Sequence, residues 1–262
     1  MERLTTAGPW LRTYHSVAPD APFLVCFPHA GGSASFFFSL SRLLTPDTGV
    51  LAVQYPGRQD RNREPLIDNV PELADRVFEA LVENPELTGG ERKLTFFGHS
   101  MGSAVAFEVA VRLRRAGLPG PVRFFASARR APGTVTEDRV HLRDDDGIIE
   151  QIRELSGTDA RALGDEELMR MALPAIRNDY HAIETYRAEP GARIDCPVTV
   201  LIADDDPTTT VAQAAAWEKH TTKETGMHVF PGGGHFYLNN WPADVRDTIT
   251  RRMGADADTK VA

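Results

Sequence analysis

The chain has 262 residues, a formal net charge of −8 at pH 7, and a composition of 42% hydrophobic and 25% charged residues. This length can bury a sizeable core, and α/β chains of this size commonly form a single domain, so we expect one domain over residues 1–262. The acidic balance argues against nucleic acid or an anionic membrane surface as the main partner.

The N-terminal stretch "MERLTTAGPWLRTYHS" lacks the apolar core of a secretory signal. No segment approaches the ~18 apolar residues that a membrane span needs. Cys26 and Cys196 are too few for a disulfide framework, and both adjoin apolar runs. We therefore expect two buried, reduced thiols in a soluble cytoplasmic protein.

Six short apolar runs recur between longer helical patterns. None of them alternates between apolar and polar residues, which is typical of strands covered on both faces. They predict a mainly parallel sheet with helices on both faces, an α/β layer fold. The runs are residues 23–27, 50–55, 93–97, 122–126, 198–203 and 227–230.

Two helices between these runs are strongly indicated. Residues 70–83 have Pro71 in the first turn and apolar side chains at positions i, i+4 and i+8. Residues 103–115 are apolar on nearly every side, which predicts a helix buried against the sheet, and they end with arginines before Gly117.

Residues 134–194 contain no strand-like run. Apolar side chains recur there at helical spacing, and we expect a helical insertion that forms a lid over the edge of the sheet. The second helical stretch is expected to be interrupted at Pro174. The stretches are Ile148, Ile149, Ile152 and Leu155; then Leu168, Met169 and Met171; then Ile176, Tyr180 and Ile183.

The stretch "FFGHSMGSA" (96–104) carries the main functional signal. An apolar, strand-like run ends at a serine between two glycines, where an ordinary turn would use Asn, Asp or Pro. Gly98-His99-Ser100-Met101-Gly102 matches G-x-S-x-G, the strand-to-helix elbow that exposes a serine oxygen above a sheet. Ser100 is a candidate nucleophile if the chain also supplies a base, an acid and oxyanion donors.

The base is expected late in the chain, in a loop after a strand. Of the eight histidines, His235 in "VFPGGGHFYL" follows the last predicted strand within a glycine loop. The other seven precede Ser100, or lie in the elbow, the predicted lid, a helical stretch or a strand-like run. His235 is therefore the candidate base.

The acid is expected after the preceding strand, where Asp204, Asp205 and Asp206 are adjacent. Neighbouring carboxylates repel, so one of them should turn inward while the others stay solvated. The physical chemistry does not choose among the three. The position of Asp206 in the turn before a proline favours it.

Two N–H donors are needed for the oxyanion. One is expected to be the amide of Met101, directly after the candidate nucleophile. The other should come from "FPHAGGSASFF", the loop after the first run, where small residues let the backbone approach a ligand, and Ala30 is the candidate. This loop has no Gly-Lys-Ser/Thr sequence and is not expected to bind nucleotide phosphates.

Six blocks in chain order resemble the stand-alone type II thioesterases of polyketide and nonribosomal peptide assembly lines. The resemblance extends from about residue 23 to residue 238. It implies an α/β-hydrolase fold with a helical lid, a triad of Ser100, Asp206 and His235, and oxyanion donors at Ala30 and Met101. The blocks are "FPHAGGSASFFFSL", "VQYPGRQDRNREP", "FFGHSMGSAVAFEVA", "SARRAP", "ADDDPTTTVAQAAAW" and "PGGGHFYL".

The resemblance implies hydrolysis of stalled or aberrant acyl groups from the phosphopantetheine arm of acyl or peptidyl carrier proteins, without a metal or other cofactor. Two alternatives remain: a general short- or medium-chain thioesterase or carboxylesterase, and a non-catalytic binding protein of the same fold. For "YPGRQDR" the residues alone indicate only a turn.

Carrier proteins are usually acidic, yet residues 134–194 have 14 Asp and Glu against 8 Arg, a net charge of −6. Docking is therefore expected to use local arginines or apolar contacts rather than the whole lid surface. Arg129 and Arg130 in "SARRAP" are candidates, with packing at the end of a strand as the alternative role.

Overall fold

Seven strands form one sheet in the computed structural model, which describes residues 8–89, 92–134, 138–156 and 166–258. The strands are β1 (Leu11–Arg12), β2 (Phe23–Phe27), β3 (Gly49–Val53), β4 (Leu94–His99), β5 (Arg123–Ser127), β6 (Val198–Ala203) and β7 (Thr225–Phe230). Their spatial order is β1-β3-β2-β4-β5-β6-β7. Only β1 is antiparallel to its neighbour, so the predicted mainly parallel sheet is confirmed.

Strands β2 to β7 correspond to the six predicted apolar runs, with ends that differ by up to two residues. Strand β1 was not predicted, because two residues are too short to make a recognisable run. It pairs with Ala52 and Val53 of β3 and closes that edge of the sheet.

Helices cover both faces of the sheet. The helices are α1 (Phe38–Leu44), α2 (Val70–Val82), α3 (Pro85–Thr88), α4 (Met101–Arg115), α5 (Asp145–Ser156), α6 (Glu166–Thr185), α7 (Val211–Ala215) and α8 (Pro242–Asp258). On one face the sheet packs against α2 and α4, and on the other against α1 and α8. Strand β2 shows why no alternation was seen: Phe23 and Val25 enter the first core, and Leu24 and Cys26 the second.

The two predicted helices are confirmed as α2 and α4. Asn69 caps α2, since its side chain accepts a hydrogen bond from the amide of Glu72. Helix α4 begins at Met101, directly after the candidate nucleophile and two residues earlier than predicted. The first turn of this buried helix therefore forms part of the elbow.

In the described part of residues 134–194, the regular structure is helical apart from an isolated bridge at Ile194, with loop residues between and after the helices. The predicted interruption at Pro174 is wrong, because α6 runs continuously from Glu166 to Thr185 with Pro174 inside it. An interior proline costs roughly 3 kcal/mol. That cost is offset by burial of the neighbouring Leu173 and Ile176 in a small core shared with α5.

One detail of the predicted apolar stripes differs. Met171 is 73% exposed and so does not belong to a buried stripe. The side chain of Leu168, and residues 135–137 and 157–165 of the predicted lid, lie outside the described residues. The role of α5 and α6 as a lid stays a prediction.

Cys26 and Cys196 are both buried, as predicted. Burial raises the pKa of the Cys26 thiol well above its ordinary value. Within the described ranges, no helix combines the length and apolar character needed to cross a membrane.

Candidate active site

Ser100 lies at the junction of β4 and α4 in a conformation that an L-residue rarely adopts, with φ 53° and ψ −120°. A Cβ on Gly98 would lie 2.3 Å from the Cα of Ser103, and one on Gly102 would lie 2.0 Å from the carbonyl oxygen of Phe27. Both positions therefore require glycine. The G-x-S-x-G spacing is a steric consequence of turning from a buried strand directly into a buried helix.

Asp206 and His235 are hydrogen-bonded. The Nδ1 of His235 lies 3.0 Å from Oδ2 and 3.2 Å from Oδ1 of Asp206. Donation from Nδ1–H to the carboxylate fixes the tautomer and leaves Nε2 as the basic nitrogen. Of the three adjacent aspartates, only Asp206 is buried, so one carboxylate does turn inward.

Thr208 is a supporting residue that the sequence interpretation missed. Its amide and its Oγ1 each donate to Oδ1 of Asp206, both at 2.8 Å. Burial raises the pKa of Asp206, but the hydrogen bonds from His235 and Thr208 outweigh it and hold this pKa below its ordinary value. The sequence Asp206-Pro207-Thr208 was available as a signal, because an Asp side chain in an Asx-turn accepts a hydrogen bond from the amide two residues later.

Asp204 and Asp205 are exposed, as expected for the two aspartates that do not face inward, but they also hold the glycine loop. Oδ1 of Asp204 accepts from the amide of Gly232 at 2.8 Å, and Oδ1 of Asp205 accepts from the amide of Gly234 at 2.8 Å. All three aspartates thus contact residues 232–235, and the loop that carries His235 is fixed along its length.

Ser100, His235 and Ala30 line one cavity of about 410 Å³. Within the described residues, the amides of Ala30 and Met101 donate no hydrogen bond, as the prediction that they bind an oxyanion requires. Ser100 Oγ likewise has no hydrogen-bond partner there, and its contact with Nε2 of His235 stays a prediction. The structure thus brings Ser100, Ala30 and His235, which carries the hydrogen bond to Asp206, to one cavity.

Two further histidines lie beside the candidate base. The rings of His29 and His99 lie 5.8 Å apart, and that of His99 lies 5.4 Å from that of His235. Burial lowers the pKa of His29 to about 3 and that of His99 well below its usual value. Both are therefore neutral at pH 7. The Nδ1 of His99 hydrogen-bonds with Ser127 Oγ at 2.8 Å, below the elbow.

Arg129 and Arg130 both line this cavity. Arg130 is 6% exposed and donates to Oδ2 of Asp138 at 3.0 Å and to the carbonyl of Thr208 at 3.3 Å. Burial lowers the pKa of Arg129 to about 9. Arg130 is thus packed at the end of β5, and the packing alternative fits it better than docking to a carrier.

Residues 22–255 match the family model of the thioesterase domain. The chain belongs to the thioesterase family. This thioesterase is 50% identical over 251 residues to a probable cadicidin biosynthesis thioesterase of Streptomyces griseus, covering 96% of this chain and 68% of that one. It is also 46% identical over 253 residues to the thioesterase PikA5 of Streptomyces venezuelae, covering 95% and 88%.

Among solved structures, this thioesterase is similar to the type II thioesterase BorB from the borrelidin biosynthetic cluster. The TM-score is 0.86 at 42% identity, covering 94% of this chain and 98% of BorB. The resemblance to stand-alone type II thioesterases and the α/β-hydrolase class of the fold are therefore confirmed.

Proposed function

We propose that this thioesterase removes aberrant or stalled acyl groups from the phosphopantetheine arms of acyl or peptidyl carrier proteins, and that Ser100, His235 and Asp206 perform the hydrolysis. The observation that carries the proposal is the hydrogen bond between Asp206 and His235 at the wall of the cavity that also exposes Ser100. The chain's similarity to thioesterases of natural-product biosynthesis supports the class of substrate.

Each step of the proposed hydrolysis has a residue of the site that can perform it. The Nε2 of His235 takes the proton of Ser100, and Oγ forms a bond to the thioester carbonyl carbon. The carbonyl electron pair moves to oxygen, which the amides of Ala30 and Met101 stabilise. Collapse of this intermediate breaks the carbon–sulfur bond, and the imidazolium protonates the thiolate.

The acyl group then remains on Ser100 as an ester. His235 takes a proton from water, the hydroxide attacks the ester carbonyl, and the same two amides stabilise the second oxyanion. Collapse releases the acid and returns the proton to Ser100. Asp206 stays ionised throughout and stabilises the imidazolium that forms twice per turnover.

A matched pair of substrates tests the proposal: propionyl on a phosphopantetheinylated carrier protein, and propionyl on a small thiol. We expect hydrolysis of both by the wild-type protein, a higher kcat/KM on the carrier, and no turnover above background with the Ser100→Ala variant. Equal kcat/KM on the two substrates would reduce the function to that of a general thioesterase. Undiminished turnover by Ser100→Ala would refute the mechanism.

A second arm addresses the other enzymatic reading. The propionyl ester of an alcohol matched in size to the small thiol is compared with the thioester. We expect the thioester to react faster, and a faster rate on the oxygen ester would identify a carboxylesterase instead.

A further inference from the structure

The loop that carries Ala30 is held by groups from outside the triad. The amide of Gly31, the next residue, donates to Oδ2 of Asp179 on α6 at 2.7 Å. Arg58, in the loop after β3, donates to both carboxylate oxygens of Asp179, at 2.5 and 3.0 Å, and to the carbonyl oxygen of Gly32 at 3.2 Å. One ion pair therefore joins three separate segments of the chain.

This ion pair is buried. The side chain of Arg58 is 8% exposed and that of Asp179 is 1% exposed. Removing two charges from water is costly, and apolar pairs of similar volume often stabilise a fold as well or better. The pair compensates part of this cost because its two parallel hydrogen bonds match a guanidinium to a carboxylate. Because the buried ion pair of Arg58 and Asp179 is costly, its presence beside the Ala30 loop indicates that it serves to fix the geometry of that loop rather than to stabilise the fold.

The same loop also packs tightly against α6. Gly31 has φ +75°, in the left-handed region, and a Cβ there would lie 2.5 Å from Cγ1 of Ile176. Two more side chains of the loop after β3 hold the other end of the Ala30 loop. Oε1 of Gln54 accepts from the amide of Ala34 at 2.9 Å, and Gln59 Nε2 donates to Oγ of Ser33 at 2.8 Å.

We propose that Arg58 and Asp179 are positioning residues that aim the amide of Ala30 at the reacting carbonyl, so that helix α6 completes the oxyanion hole. This inference rests on the proposed function. It gives the "YPGRQDR" block a physical role that the sequence alone did not provide. It also means that movement of α6 away from the sheet would remove the acceptor of the Gly31 amide and so loosen the oxyanion donor.

The role acts on the transition state and leaves substrate binding largely unchanged. An oxyanion donor contributes most when negative charge develops on oxygen, so misplacing Ala30 should lower kcat more than it raises KM. Loss of one complete donor typically lowers kcat by about 10²- to 10³-fold. We expect about 10- to 100-fold for a donor that is present but loosely held.

The main test uses the double variant Arg58→Met/Asp179→Leu, measured with propionyl on a small thiol so that carrier docking does not enter. The double variant removes both charges together and leaves neither of them buried without a partner. The control is Asp145→Asn, which removes the ion pair between Asp145 of α5 and Arg177 of α6, whose side chains are 56% and 35% exposed. Thermal unfolding of every variant is followed in parallel.

We expect the double variant to melt within a few degrees of the wild type, with kcat lowered about 10- to 100-fold and KM changed less than about 3-fold. The rate at which a fluorophosphonate labels Ser100 should fall in step with kcat. Asp145→Asn should keep wild-type kcat and KM. A double variant with wild-type kcat would overturn the positioning role, as would a loss of activity that appears entirely in KM.

If the double variant does not fold, the Arg58→Lys variant is used to test the proposal instead. This variant keeps the charge but lacks the planar fork, and we expect kcat to fall about 3- to 10-fold with KM unchanged, whereas a wild-type kcat would overturn the proposal. Failure of the wild-type protein itself to hydrolyse the thioester would refute the proposed function. Hydrolysis by the wild type with no effect in the variants would refute only the positioning role.

Discussion

Replacement of Gly102 by alanine tests whether the elbow is a steric requirement. A Cβ there would lie 2.0 Å from the carbonyl oxygen of Phe27 and 2.7 Å from that of Pro28. Real Cβ atoms essentially never approach closer than 3.0 Å, so the start of α4 and the end of β2 must separate by about 1 Å. Both atoms met are backbone, so no side-chain rotation can relieve the clash.

The displacement has two consequences of different size. Forcing extra volume into a packed core destabilises the fold by about 1–3 kcal/mol, which exceeds the gain of up to about 1 kcal/mol that alanine brings to a helix. The same shift moves Ser100 relative to the loop of Ala30, and a displacement of ~1 Å in a catalytic arrangement can cost about 10²-fold in rate.

Urea unfolding followed by circular dichroism measures the first effect, and propionyl thioester hydrolysis measures the second. Gly254→Ala is the matched control, because Gly254 lies in helix α8 and a Cβ there would have no neighbour within 4 Å. We expect the control to be neutral or slightly stabilised, with wild-type activity. A Gly102→Ala protein with a wild-type unfolding midpoint and a wild-type kcat would refute the steric reasoning.

Four further outcomes follow from the site and the core. Asp206→Asn should lower the kcat of thioester hydrolysis by about 10⁴-fold, because the asparagine side chain does not hold the required tautomer of His235. Burial raises the pKa of Asp206, but hydrogen bonds hold this pKa in the folded protein below its ordinary value of 3.8. The ionised carboxylate therefore stabilises the fold fully above pH 3.8, and this stabilisation is lost as the pH falls through the folded pKa. The difference in unfolding free energy between wild type and Asp206→Asn should shrink from about pH 7 to about pH 3. Thr208→Val removes a hydroxyl donor from Asp206 and should cost about 1.5–3 kcal/mol in urea unfolding at pH 7. Cys26 and Cys196 should both resist a thiol reagent in the native protein and react after denaturation, since both are buried.

Clear outcomes would contradict each of these. Retention of most activity by Asp206→Asn would remove Asp206 from the triad. A pH-independent stability difference would show that its carboxyl titrates alike in the folded and unfolded chain. An unchanged urea midpoint for Thr208→Val would deny the hydroxyl a role, and native reactivity of either thiol would contradict its burial.

The sheet could be predicted because its strands are short and buried on both faces, so that each appears as a continuous apolar run. The continuous course of α6 through Pro174 could not be predicted in this way. Local chemistry predicts a break at Pro174, and only the contacts of Leu173 and Ile176 with α5, which are not visible in the local pattern, outweigh it. Strand β1 has two residues and exists only because β3 is beside it.

The candidate site likewise has residues that the sequence identified and residues that it did not. The elbow identified Ser100 because its glycines are a local steric requirement, and the glycine loop after the last strand identified His235. Among the three aspartates, the position before a proline and the family resemblance favoured Asp206, and in the structure its carboxylate is the one hydrogen-bonded to His235. Asp179 lies 121 residues from Arg58 in the chain, and no local pattern connects them.

The proposed triad and the amide of Ala30, one of the two proposed oxyanion donors, depend on different parts of the molecule. Ser100, Asp206 and His235 follow β4, β6 and β7, whose carboxyl ends meet at one edge of the parallel sheet, so that edge and the loops that follow it position them. The loop of Ala30 also follows a strand, β2, but its conformation depends on Asp179 of α6. A change in the position of α6 would therefore leave the bond between Asp206 and His235 intact while it weakened oxyanion stabilisation. On the proposed mechanism, the base would then remain competent, but hydrolysis would be fast only with α6 packed against the loop.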